Sequence, residues 1–167
     1  MKTFSGTTRA LCCALGLAAF APAAHADSWR FFSATDLRRH AIEMTTDPKA
    51  ATGAPISLCA PQARFACMRA EGAFSLAIPK VDSLPLKWQF ENVNYKVMEK
   101  SYSITLFGST AEGVLVQGID KDKLESYFLY SPLRGFMAFQ WTDSPKKRPV
   151  LFLIADKCGP GAAPECK

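Results

Sequence analysis

Two cysteine pairs, Cys59 with Cys67 and Cys158 with Cys166, share a C-x7-C spacing and constrain this chain's fold more than any other feature. Four cysteines allow three connectivities. Bridges within the pairs close two short turns, whereas crossed bridges tie the C-terminus to the middle of the chain. The local pattern is expected, because a short loop costs the least chain entropy to close. The residues between Cys59 and Cys67 (APQARFA) suit a hairpin, and those between Cys158 and Cys166 (GPGAAPE) contain no strand formers to resist closure. Each small bridge contributes about 2.5 kcal/mol in the chain-entropy picture. A four-cysteine zinc site calls for pairs spaced more tightly than these.

Disulfides persist where the surroundings are oxidising, and the N-terminus offers a route there. Lys2 and Arg9 precede an apolar run from Ala10 to Phe20, and Ala24-His25-Ala26 forms a small-x-small cleavage site. That is the layout of a secretory signal peptide, and its apolar run is too short to span a bilayer. Cys12 and Cys13 lie inside the run rather than after it, which disfavours a lipid anchor. The expectation is a leader over residues 1–26 and a single mature domain over 27–167, periplasmic or secreted. The net charge of +5 falls further once Lys2 and Arg9 leave. So weak a charge argues against nucleic acid as a partner. With 49% hydrophobic and 21% charged residues, the chain has the composition of a folded protein with a core. No later segment is apolar for long enough to be a transmembrane span.

Ser33-Ala34-Thr35-Asp36 reads as a helix cap, with Phe32 and Leu37 placed for a hydrophobic staple. Leu37, Ala41 and Met44 repeat at helical spacing with His40 on the same stripe, predicting a helix over about 34–44. Beyond Pro55 the pattern is that of short strands separated by turn residues. Nine runs qualify: 56–60, 64–69, 74–78, 86–93, 95–107, 114–119, 124–130, 136–141 and 150–155. Leu86, Trp88 and Phe90 alternate with polar residues, as do Tyr102, Ile104 and Leu106. Val150 to Ile154 is apolar throughout and needs cover on both faces. Pro132 and Gly135 mark a hairpin in which glycine takes the positive φ. The expected fold is mainly β, a single antiparallel β-sandwich or barrel-like domain of about 8–9 strands with one N-terminal α-helix packed on it.

The chain is poor in catalytic parts. His40 is the only histidine left after the leader, so nucleophile–base pairs and three-ligand zinc sites lack a donor set. Nucleotide-binding, esterase and metalloprotease signatures are missing. No cofactor and no metal site are expected. The carboxylates fall at outward strand positions or in turns, which leaves a two-carboxylate hydrolase as the weakest reading. The most informative stretch is the aromatic hairpin holding Tyr127, Tyr130, Phe139 and Trp141. Its large side chains form a core, an apolar pocket or a surface for a partner. Lys146-Lys147-Arg148 is either a contact for an anionic partner or a basic loop guarding the next strand. These residues support a non-enzymatic binding or accessory protein of the cell envelope, with an envelope protein as partner. The alternative is a carrier of a small apolar ligand in an aromatic-lined cavity. A cavity lined by members of the aromatic group distinguishes the carrier.

Overall fold

The computed structural model describes residues 27–34, 41–106, 109–141 and 150–166. Among them are twelve strands: β1 (Ser28–Ser33), β2 (Ala41–Thr45), β3 (Ala54–Pro55), β4 (Ser57–Leu58), β5 (Phe65–Ala70), β6 (Phe74–Pro79), β7 (Lys87–Phe90), β8 (Val93–Leu106), β9 (Ser109–Asp120), β10 (Glu125–Ser131), β11 (Gly135–Trp141) and β12 (Val150–Ile154). A 3-10 turn at Pro164–Cys166 follows. The strands form two sheets. One has nine strands in the order β3-β2-β1-β12-β11-β10-β9-β8-β7, and the other has three in the order β4-β5-β6. All pairings are antiparallel except β2 with β3.

The register explains the core. Val97, Val116, Phe128, Phe139 and Phe152 stand directly opposite one another across β8 to β12. Because the side-chain period of a strand is two, this transverse row faces one side, and all five residues are buried. The small sheet covers that side with Met68, Leu76, Ala77 and Ile78, which cluster with Val116, Phe128, Phe139 and Phe152. Aromatic rings knit it together. Phe139 lies 5.1 Å from Phe31, 5.2 Å from Phe74 and 5.1 Å from Phe152.

The opposite side of the large sheet has its own cluster. Leu129, Met137 and Ala138 are buried, with Tyr102, Ile104, Ala111, Leu151 and Leu153 packed on them. Tyr102, Ile104 and Ala111 come from the far half of the β8–β9 hairpin, beyond two register shifts between Val97 and Tyr102. Bulges bend a strand and increase its twist, which brings the hairpin's end onto the sheet. Apolar side chains of β12 therefore pack on both sides, as its unbroken apolar sequence requires.

The sheets are also joined by hydrogen bonds. Tyr95 donates to the Ser75 carbonyl at 2.8 Å, and Trp88 Nε1 donates to the Ala77 carbonyl at 3.0 Å. Ser75 and Ala77 lie on β6, whose outer edge has no neighbouring strand among the described residues. Two stacked rings, 5.5 Å apart, thus satisfy the backbone of an edge that would otherwise seek another chain.

Three expectations are corrected. No α-helix packs on the sheets: no helix of seven or more residues is present among the described residues, and Ala41–Thr45 is strand β2, paired along its length with β1. A helix cap contributes about 1 kcal/mol. Burying Phe31 and Met44, with Trp29 and Ile42 packed against the core, outweighs that, since each large apolar side chain contributes about 1.5–3 kcal/mol. Ser33, the expected cap, ends β1 and is buried. Residues 35–40, including His40, lie outside the described residues. The fold is not a barrel, because the nine-stranded sheet ends in two open edges, β3 and β7. Nor is it one sandwich of 8–9 strands, since nine strands face three and β3 pairs in parallel.

Candidate functional site

Both disulfides form as the spacing predicts, Cys59 with Cys67 and Cys158 with Cys166. They do more than close turns. The Cys59–Cys67 loop leads into β5, and Cys59 donates its amide to the Cys67 carbonyl. The Cys158–Cys166 loop folds back on the β10–β11 hairpin through Gly159 N to Arg134 O at 2.7 Å, Phe136 N to Pro160 O at 2.9 Å and Ala163 N to Leu133 O at 3.0 Å. Gly135 sits beneath it with φ 77°, the positive value its turn position predicts.

Between these loops lies a cleft of about 790 Å³. One wall is the start of the described chain, Asp27, Ser28 and Trp29. A second is the first disulfide loop with Leu58 and Ala66, and a third is the C-terminal loop from Cys158 to Pro164. Pro79, Lys80 and Val81 complete it where the small sheet ends, with Tyr130 and Pro132 from the β10–β11 hairpin. The volume lies within the range of sites for small organic ligands, and such sites are mostly apolar with a few placed polar groups.

The polar groups here are few. Tyr130 is buried with its ring 5.1 Å from Phe136. Burial pushes its phenol above the ordinary tyrosine value, and no hydrogen bond among the described residues offsets this. Lys80 Nζ donates to the Pro61 carbonyl at 2.8 Å, bracing the first disulfide loop. Asp27 is held through its backbone: its amide donates to Thr46 Oγ1 at 3.1 Å, and its carbonyl accepts from the Thr46 amide at 3.0 Å.

The residues singled out from the sequence scatter. Tyr130 lines the cleft. Phe139 is buried in the core beneath the small sheet. Tyr127 lies on the opposite side of β10 from Phe128, accepting from Gln117 at 2.8 Å and donating to Glu125 at 3.0 Å. The side chain of Trp141 and all of Lys146, Lys147 and Arg148 lie outside the described residues. Sequence reasoning missed Trp29, Leu58 and Val81. Trp29 carried a signal, a tryptophan at the third position past the expected cleavage site, but nothing local ties it to residues near positions 60, 80 and 160.

Among the described residues no cluster of three or more histidine, cysteine or acidic side chains is arranged to hold a metal ion. No described helix is long and apolar enough to cross a membrane. No family model matches the chain, and neither a curated protein nor a solved structure matches it significantly.

Proposed function

We propose that this protein is an exported, non-enzymatic carrier of a small apolar ligand, processed after Ala26 and acting in the periplasm or outside the cell as a single mature domain. The cleft supports this reading over docking of an envelope protein on an aromatic face. Its walls carry Trp29, Leu58, Val81 and several prolines, and one buried phenol, Tyr130, offers a hydroxyl that the described residues leave unpaired. Phe139, which the surface reading needs outside, packs among Phe31, Phe74 and Phe152.

The test is titration of the processed, oxidised protein with N-phenyl-1-naphthylamine, a neutral dye that brightens in apolar surroundings. Saturable binding at one site is expected. Ala162→Trp, which fills the cleft from the half-buried C-terminal loop, should weaken it about tenfold or more, a loss of about 1.4 kcal/mol. Tyr127→Ala, away from the cleft, should leave it unchanged. Dye binding that is unsaturable, or equal in all three proteins, would sink the proposal.

A further inference from the structure

The charges around the cleft narrow the ligand. Among the described residues, Asp27 and Lys80 are the two charged side chains that line it. Neither forms an ion pair among the described residues. Processing after Ala26 puts a free α-amino group on Asp27, so that residue carries both signs and contributes little net charge. Lys80 is then the one net charge among the described lining residues. Its ammonium has three donors, of which the Pro61 carbonyl takes one. The same bond holds the ammonium of the exposed Lys80 beside Pro61, itself a lining residue.

We infer that the ligand is an amphiphile, with an apolar body lying in the cleft and one anionic head, a carboxylate or a phosphate, bound by Lys80. This rests on the cleft being the ligand site. A charged acceptor satisfies the remaining ammonium donors better than a neutral one does, because charge-assisted hydrogen bonds are roughly twice as strong. Tyr130, whose hydroxyl has no hydrogen-bond partner among the described residues, is left to meet a polar atom along the body, which a plain hydrocarbon lacks.

The experiment is competition against bound N-phenyl-1-naphthylamine by four matched twelve-carbon compounds below their micelle thresholds: dodecanol, dodecanoate, dodecyl phosphate and dodecylammonium. At low salt, wild type should bind one or both anions about tenfold more tightly than dodecanol, with dodecylammonium weakest. Whichever anion leads tells a free fatty acid from a phosphorylated lipid. Lys80→Met keeps the apolar stem, and in it the preference should vanish while dodecanol binds as before. Raising salt on the wild-type protein should erode the anion preference alone, a readout that holds even if the variant folds poorly. Equal displacement by alcohol and anions overturns the headgroup assignment and leaves the cleft reading intact. An anion preference that survives Lys80→Met or high salt also overturns it. Displacement by none of the four overturns both.

Discussion

Gly135 turns the β10–β11 hairpin at φ 77°, and a Cβ there would lie 2.4 Å from the Pro160 carbonyl oxygen and 2.6 Å from the Ala162 amide. Two costs fall on any substitution: the left-handed backbone, and a collision with the disulfide-closed loop above it. Gly135→Val should therefore lower stability by about 2–4 kcal/mol in chemical denaturation. Phe139→Ala should cost about 3–5 kcal/mol, because three ring contacts and a buried volume go together. Tyr95→Phe is subtler, stranding the Ser75 carbonyl at a cost of about 1–2 kcal/mol. Burial raises the Tyr95 phenol far above its ordinary value of 10.0, and burial likewise raises that of Tyr130. A group whose pKa is raised in the fold contributes fully below its unfolded pKa and loses that contribution as pH climbs beyond it. Stability should thus hold to about pH 10 and fall above it. Tyr95→Phe should flatten that fall, as melting curves across alkaline pH will show.

At the scale of elements, Glu91 is the informative turn. It sits at φ 54° in the tight β7–β8 hairpin and reaches the small sheet through an ion pair with Arg69 at 2.6 Å. Both partners are partly exposed, so the pair contributes about 0.2–1 kcal/mol. The left-handed backbone costs a non-glycine residue about 1–2 kcal/mol. Glu91→Gly removes both terms and should be neutral or slightly stabilising in a thermal melt. A loss above about 1 kcal/mol would show that the ion pair holds the sheets together. The strands from β5 to β12 were legible in sequence because alternation in Phe74–Ile78 or Tyr102–Leu106 needs only local reading. β1 and β2 were not legible. Leu37, Ala41 and Met44 fit a helical period, whereas Ile42 and Met44 fit a strand period, and only the presence of Trp29 and Phe31 opposite them decides. The cleft was less legible still. Tyr130 was visible as one of a set of aromatics, but Leu58, Val81 and the 158–164 loop converge on it solely through the fold.

Across the whole molecule, the two disulfides stand at walls of one cleft rather than at separate ends of the structure. Removing the second with Cys158→Ala and Cys166→Ala should cost about 2.5 kcal/mol. It should also weaken dye binding by more than the fall in folded population accounts for, because the loop it closes supplies a wall. Circular dichroism should keep its β signature in that variant, since no strand of either sheet lies within the loop.

The position of β1 sets an order in time. It pairs on one side with β2, close in sequence, and on the other with β12, with Phe31 opposite Ile154 and the Arg30 amide bonded to Asp156. A chain delivered N-terminus first, from a ribosome or through a narrow channel, exposes Trp29 and Phe31 long before residues 150–154 arrive to flank them. The seam between β1 and β12 is therefore the last to close, and such distant pairings form slowly. Chains cut short before residue 150 should collapse without completing it and remain open to proteases and to one another. Pairing of β1 with β12 thus waits until nearly the whole polypeptide has been made.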